Sequence, residues 1–320
     1  MEAASKEENA IAADSRIVRY DDLVPCLGAF IDSRTPGSDK KENFTIIGPG
    51  VSENPDQHIH IAEPHGFNIG GARQPPGCTN SQHSHNTAEV FYIHKGKWAF
   101  TMGEFGDDTE IILKPGDLIS IPTNVFRGFE NVGEDMGYLW AVLGGDDPGR
   151  VLWAPKVFDM AKDYGLVLLE NGSLIDTTKG EVVPKDAKVM PVTTREQIEA
   201  LDKYDFKDLR ECCIMSEEDV LTEKQGSVSR RKLIGEDAKL GWPHGFSVSE
   251  YRVNAGEEII DDKLNKPDVI FVHEGELRLV VNDDIWDLKA GDTATIPKQA
   301  SRRFENAGQE TVTFVRVIGD

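Results

Sequence analysis

An internal repeat is the feature of this sequence that most restricts its fold. Residues 64–77, PHGFNIGGARQPPG, align with residues 243–256, PHGFSVSEYRVNAG, at an offset of 179 residues. At the same offset, VFYIHKG (90–96) aligns with VIFVHEG (269–275). Because 320 residues exceed one typical domain, these matched segments predict two similar domains in tandem.

The repeat continues further along both halves. GDLISIPTNVFRGFENVG (116–133) aligns with GDTATIPKQASRRFENAG (291–308), now at an offset of 175 residues. Each half consists of short, alternating, β-branched segments separated by Gly, Pro, Asn and Asp, which is typical of an antiparallel sandwich or barrel. The sequence therefore predicts an all-β protein with two barrels.

Changes in composition along the chain divide it into four parts. Residues 1–15 are polar and are expected to form a mobile arm, and residues 16–150 to form the N-terminal barrel. Residues 151–220 are expected to be a connector with short helices, and residues 221–320 the C-terminal barrel.

Two local patterns predict the helices of the connector. Between Pro155 and Gly165, apolar residues recur with the i, i+3, i+4, i+7 spacing of an amphipathic helix. Thr194, followed by Gln197 three residues later, forms a capping box that opens a second helix.

Charge and composition limit the classes of partner. The chain has 35 basic and 56 acidic residues, a net charge of −21, which would repel nucleic-acid phosphates. No apolar run reaches the ~18 residues of a membrane span, and the first residues lack a secretory signal pattern, so a cytoplasmic protein is expected. The four cysteines show no metal or redox spacing and are interpreted as reduced thiols.

The strongest chemical motif lies in the first half, between two glycines. Its string, GCTNSQHSHNTAEVFYIHKG, contains His83, His85 and Glu89. Alternation along a strand would put both histidines on one face, and a carboxylate after a tight turn can return to that face. Two imidazoles and one carboxylate form a facial triad suited to Fe(II), and acceptable for Mn, Ni, Co or Zn. The alternative is that both histidines are ordinary loop residues.

The spacing of these motifs resembles the cupin superfamily. The first motif is Gly77-x5-His83-x-His85-x3-Glu89-x6-Gly96, and the second is Gly116-Asp117-x4-Pro122-x4-Arg127-x3-Asn131. The resemblance covers about residues 44–145 and, more weakly, about 227–319. It implies two double-stranded β-helix barrels of jelly-roll type and similarity to metal-dependent two-domain dioxygenases. It also implies a homodimer.

The second motif departs from the family pattern at Arg127. Most metal-binding cupins resembling this chain place a third histidine there, whereas arginine has no acceptor and cannot bind a metal. One interpretation is that Arg127 anchors a substrate carboxylate in the pocket beside the metal and so takes part in catalysis. The other is an internal ion pair with Glu89 that makes the site structural.

The second half lacks the imidazole ligands. Asp262, Leu264 and Asp268 stand at the positions of the first-half triad, so a transition-metal site is not expected there. Arg302 nevertheless matches Arg127, and a structural ion pair with Asp268 is predicted.

Further aromatic and histidine residues are less informative. Trp98 and Phe100, on the strand after Gly96, are predicted to form the pocket wall. His94 has the wrong strand parity for a ligand, whereas His58 and His60 are interpreted as surface residues, with a ligand role as the alternative.

Two classes of function follow from these residues. The leading hypothesis is a metal-dependent oxidoreductase, most simply an Fe(II) dioxygenase, acting on a small organic acid or phenol. Within the superfamily, a non-redox isomerase or decarboxylase would use similar ligands. The second hypothesis is a non-catalytic cupin that binds a small molecule, which the two arginines and the degenerate second half would favour.

Overall fold

The computed structural model describes residues 15–220, 222–226, 228–261 and 263–320, and these residues divide into two compact units. The first unit consists of Val24–Ile59 and Asn68–Met215. The second unit consists of residues 15–23, His60–Phe67 and Ser216–Asp320. The predicted arm, residues 1–15, lies outside the described residues except for Ser15.

Strands dominate both units. In chain order, the strands up to residue 153 are β1 (Ile17–Val18), β2 (Glu42–Ile47), β3 (Ile59–Ile61), β4 (Phe67–Gln74), β5 (Thr79–Ser84), β6 (Glu89–Lys95), β7 (Trp98–Met102), β8 (Thr109–Leu113), β9 (Leu118–Ile121), β10 (Arg127–Asn131), β11 (Gly137–Gly144) and β12 (Leu152–Trp153). The remaining strands are β13 (Leu166–Leu168), β14 (Leu174–Asp176), β15 (Cys213–Ile214), β16 (Thr222–Gln225), β17 (Val228–Ile234), β18 (Phe246–Val253), β19 (Glu258–Asp261), β20 (Asp268–Glu274), β21 (Glu276–Val281), β22 (Asp284–Lys289), β23 (Thr293–Ile296), β24 (Arg302–Glu305) and β25 (Val312–Gly319).

Each unit contains two large antiparallel sheets, and the first unit also contains the two-stranded sheet β13-β14. The first unit has the strand orders β12-β5-β10-β7-β8 and β15-β9-β6-β11-β4-β2. The second unit has the orders β1-β23-β20-β25-β18-β17-β16 and β19-β24-β21-β22. Side chains alternate between the faces of each strand, so the inward residues of the paired sheets form the main apolar core of each unit. The predicted all-β architecture of two tandem barrels is confirmed.

Both helix predictions in residues 151–220 are confirmed. The first helix, α1 (Pro155–Asp163), begins with Pro155 and packs Val157 and Ala161 into an apolar cluster. The second, α2 (Arg195–Glu199), begins with the complete capping box of Thr194 and Gln197. A third helix, α3 (Phe206–Glu211), and short 3₁₀ turns at Tyr20–Asp22, Thr177–Lys179 and Glu217–Asp219 complete the described elements. No helix in the described ranges is long and apolar enough to cross a membrane.

The units differ from the contiguous halves that the sequence suggested, because each includes a segment that is distant in sequence. Strand β1, near the start of the chain, pairs with β23 in the sheet of the second unit. Strand β15, at the end of the expected connector, pairs with β9 in the sheet of the first unit. Most of residues 151–220 is therefore part of the first unit.

The repeat is visible in individual hydrogen bonds. The side-chain amide of Asn131 donates to the carbonyls of Gln74 and Asp135, and Asn306 donates in the same way to Val253 and Glu310. The residues of the second set correspond to those of the first at the repeat offsets of 179 and 175 residues. Because the same bonds recur in both units, these asparagines serve the fold.

Candidate metal centre

Strands β5 and β6 bring the three predicted ligands together. His83 lies on β5, His85 directly beyond its end, and Glu89 opens β6. The candidate ligand atoms of these residues all lie within 4.8 Å of one another. Each side chain is buried, with 3–6% of the residue surface exposed. Among the described residues, this is the group of three His, Cys, Asp or Glu side chains whose geometry suits a metal ion.

Hydrogen bonding orients the imidazoles toward the centre of this group. His83 Nδ1 lies 2.6 Å from the carbonyl oxygen of Ser81, which can only accept, so Nδ1 carries the hydrogen and Nε2 keeps its lone pair. His85 Nε2 lies 3.6 Å from Glu89 Oε1, and its buried Nδ1 has no partner among the described atoms. A hydrogen bond therefore fixes the ring of His83 with Nε2 available as a ligand atom, whereas no described hydrogen bond fixes the ring of His85.

The histidines are in the form that binds metal. Burial lowers the pKa of His83 well below its ordinary value, and the positive charge of Arg127 lowers it further. Burial and Arg127 lower the pKa of His85 in the same direction. Both rings are therefore neutral near pH 7, so the His85–Glu89 contact is not an ion pair, and no proton has to leave before an ion binds.

Arg127 forms the ion pair with Glu89 that was one of its two predicted roles. Its Nε donates to Glu89 Oε2 over 3.1 Å, its Nη2 donates to the same oxygen, and its Nη1 donates to the carbonyl of His83 over 3.2 Å. Only 1% of Arg127 is exposed, and it does not line the adjacent cavity. The structure therefore favours the ion-pair interpretation, and the role of Arg127 as a substrate anchor stays a prediction. Glu89 Oε1 stays available toward His85.

A cavity of about 80 Å³ lies beside the triad. All three ligands line it, together with polar side chains such as Asn43 and Asn80. Among the described lining residues there is no lysine or arginine. The apolar part of the wall includes Phe30, Phe44, Ile69, Phe91, Phe129 and Trp153.

The predicted wall residues Trp98 and Phe100 lie elsewhere. Both are fully buried in the core of the first unit and do not line the cavity. Their rings contact Phe129 at centroid distances of 5.9 and 5.6 Å. Phe129 occupies the wall and separates them from the cavity, so this prediction is corrected.

Trp153 is a wall residue that sequence reasoning missed. It lies on β12, which pairs with β5 so that Trp153 is opposite His83, and their rings are 5.1 Å apart. Its indole donates to Glu53 Oε1 over 2.6 Å, and Glu53 Oε2 accepts from the Ile31 backbone. Burial raises the pKa of Glu53 to about 8. The sequence places this tryptophan in the connector, and only strand pairing reveals its position at the cavity.

The other histidines of the first half are not ligands of this group. His94 is buried and packs edge-to-face against Tyr138, with ring centroids 5.9 Å apart, as its strand parity suggested. His58 and His60 are not part of the triad, so the alternative ligand role gains no support.

The second unit replaces the metal-like group by an ion cluster. Arg302 donates to Asp268, as predicted, and both side chains are completely buried. Arg316 adds two hydrogen bonds of 2.8 Å to the same carboxylate and a further bond to Asp261. Asp262, which stands at the position of His83, lies outside the described residues.

Arg316 also explains why the two units differ at this place. Under the 175-residue offset it corresponds to Ala141, which lines the cavity of the first unit. The registers agree, since Leu143 pairs with Glu89 and Ile318 pairs with Asp268. One arginine therefore provides charge and volume where the first unit has an alanine and open space.

This correspondence predicts the effect of Ala141→Arg. The new guanidinium should fill the cavity and pair with Glu89, because the second unit stabilises this arrangement around Asp268. We expect metal uptake to fall to background, measured by elemental analysis, with far-ultraviolet circular dichroism unchanged. Ala141→Ser is the matched control and should retain metal; equal metal content in both variants would contradict the prediction.

Sequence comparison identifies the repeated unit. Residues 72–142 and 250–318 each match the family model described as Cupin domain. No curated protein sequence matches the chain significantly.

Solved structures of similar fold cover nearly the whole chain. The structure of Bacillus subtilis oxalate decarboxylase at pH 4.6 has a TM-score of 0.58 and 14% identity over 95% of this chain and 76% of its own. The formate complex of Lactobacillus farciminis oxalate decarboxylase has a TM-score of 0.59 and 12% identity, covering 95% and 86%. AerE from Microcystis aeruginosa has a TM-score of 0.52 and 10% identity, covering 96% and 99%. Another structure of the Bacillus enzyme is described by its Mn(II) centres. At these identities the likeness establishes the fold alone.

Proposed function

We propose, because the chain is a two-domain cupin protein, that its first unit is a metal-dependent enzyme and its second unit a scaffold. The observation that carries this proposal is the convergence of His83, His85 and Glu89 within 4.8 Å beside a cavity. Two nitrogen donors and one oxygen donor would leave open positions on an ion for a small ligand. The second unit offers an arginine-filled cluster at the same place.

The donor set is compatible with several ions. We favour Fe(II), which two imidazoles and a carboxylate suit well, and retain Mn, Ni, Co and Zn as alternatives. Mn(II) has additional support because the Bacillus oxalate decarboxylase, which has a similar fold, is described by its Mn(II) centres. Such an ion, when bound, supplies a Lewis acid and a template that can hold substrate and dioxygen together.

The protein residues prepare the site in three ways. The Ser81 carbonyl fixes the His83 ring so that Nε2 is the ligand atom. Arg127 holds Glu89 through one carboxylate oxygen and leaves the other toward His85. The apolar side chains of the wall lower the local dielectric constant, which strengthens electrostatic interactions inside the cavity.

The cavity favours a small substrate with an apolar body. Among its described lining residues no cationic side chain is present to neutralise a second negative charge. A dianion such as oxalate would depend on the metal alone, whereas a phenol or a small monoacid could bind through one oxygen and pack against the aromatic wall. A dioxygenase acting on such a compound, in a cytoplasmic homodimer, is the function we propose.

Metal loading tests this proposal. Protein made without a metal-affinity tag should take up about one Fe(II) per chain when the ion is added anaerobically, and the loaded protein should consume oxygen with a member of a phenolic-acid panel. Metal content that stays substoichiometric under these conditions would contradict the proposal. Protein treated with a chelator is the control for oxygen consumption.

A non-redox decarboxylase is the second candidate, favoured by the fold similarity to oxalate decarboxylases. It would release carbon dioxide from a small acid, without net consumption of oxygen. Measuring both gases with Mn(II)-loaded and Fe(II)-loaded protein separates the two candidates.

A further inference from the structure

A β-bulge in β5 places Asn80 on the cavity side. On β10, Arg127 pairs with His83 and Phe129 pairs with Asn80, so two steps on β10 face three steps on β5. In a regular strand, residues three apart point to opposite faces. The extra residue reverses this relation, and Asn80 lines the same cavity as His83 whereas Ser81 and Gln82 do not.

A buried lysine fixes the orientation of the Asn80 amide. Lys41 Nζ lies 2.7 Å from Asn80 Oδ1. An ammonium group can only donate, so the atom facing Lys41 must be the amide oxygen. The NH₂ group of Asn80 therefore points away from Lys41, and no described residue accepts a hydrogen bond from it.

The lysine is itself held by a carboxylate. Lys41 donates to Asp32 Oδ1, and both side chains are completely buried. Asp32 Oδ2 accepts from the backbone of Ser81, within the bulge, over 3.0 Å. The ion pair thus fixes both the backbone of the bulge and the amide of Asn80. A buried ion pair typically gives little net stabilisation of the fold. The Lys41–Asp32 pair is therefore better explained by its effect on the orientation of Asn80.

We propose that Asn80 donates a hydrogen bond from Nδ2 to an oxygen atom of the small molecule in this cavity. The inference rests on the proposed function, which takes the cavity as the ligand site of the metal centre. It narrows the substrate class to compounds that carry a hydrogen-bond acceptor in addition to the metal-binding oxygen, such as an ortho-diphenol or a hydroxy acid. Asn80 is then a specificity residue, and Lys41 and Asp32 are positioning residues.

Binding of 4-nitrocatechol, an ortho-diphenol with a visible absorption band, tests the inference. Asn80→Asp keeps an oxygen for Lys41 and replaces the donor that faces the cavity by a carboxylate oxygen, whereas the uncharged Asn80→Leu removes both polar atoms. With Fe(II)-loaded protein under anaerobic conditions, we expect the dissociation constant to rise about tenfold or more in both variants, the loss expected for one buried hydrogen bond. Gln82→Leu, which removes a neighbouring amide on β5 that does not line the cavity, is the matched control and should bind normally.

Three results would overturn the inference. The first is unchanged binding in both Asn80 variants. The second is an equal loss of binding in Gln82→Leu. The third is loss of metal in both Asn80 variants but not in the control variant. Asn80 would then stabilise the metal site and would not bind the ligand. Calorimetric titration of metal-free protein with 4-nitrocatechol should give the same ratio of dissociation constants between the variants and the wild type. If the wild-type protein takes up no metal, the proposed function is contradicted, and the metal-free titration still tests the role of Asn80.

Discussion

Replacing His83 and His85 together by alanine is expected to abolish stoichiometric metal binding and leave the two barrels folded. The double variant removes both nitrogen donors and leaves Glu89, whose Oε2 is already bound by Arg127. Loss of an outer hydrogen-bond partner alone typically lowers metal affinity about 10–100-fold, so loss of two ligands should exceed this. Elemental analysis after anaerobic Fe(II) loading and dialysis measures the effect.

A second histidine pair provides the control for this experiment. His58→Ala/His60→Ala also removes two histidines from the N-terminal half, but neither belongs to the candidate triad. This variant should retain metal and activity. Equal metal content in the two double variants would place the ion elsewhere and refute the assignment of the site.

Replacing Arg127 by methionine is expected to cause a large loss of stability in the metal-free protein. Methionine has a similar length but no donor, so Glu89 would remain buried without its partner. Removing one member of a buried pair typically costs about 3–5 kcal/mol. We expect the free energy of unfolding to fall by about this amount, and Fe(II) to restore part of it by binding the unpaired carboxylate of Glu89. Urea denaturation with and without metal measures both effects.

The matching arginine of the second unit is the control. Arg302→Met removes one partner of Asp268 but leaves the two hydrogen bonds from Arg316, so its effect should be clearly smaller. Adding Glu89→Gln to Arg127→Met should recover most of the stability, because no uncompensated charge remains, although metal binding should be lost. A stable Arg127→Met protein with normal metal content and a raised KM would instead support the anchor role.

Local sequence rules predicted most elements on which the site depends. The motif spacing identified His83, His85 and Glu89, and the structure brings their ligand atoms together. The capping box of Thr194 marked the start of α2, because capping is a contact within a few residues. The ion pair of Arg302 was also predicted from the sequence. Arg302 matches Arg127 although the second half lacks the histidines, and this indicated a role in the fold.

Predictions failed where strand parity or long-range pairing decides the outcome. Counting alternation from the sequence assumes a regular strand, so the bulge that turns Asn80 toward His83 was not foreseen. Trp153 reaches His83 only because β12 pairs with β5. Trp98 and Phe100 were predicted to line the cavity, but they pack behind Phe129 of β10, which lines it.

The sequence by itself determined the duplication, the all-β class and the three residues of the candidate metal site, because each is encoded in spacing and in side-chain chemistry. Only the tertiary structure decided what those residues face. In the tertiary structure, Arg127 pairs with Glu89, and Arg316 occupies the corresponding place in the second unit. The buried Lys41 orients the amide of Asn80. These relations depend on which strands become neighbours and in which register, and that is set by the packing of the whole core, which no local segment specifies.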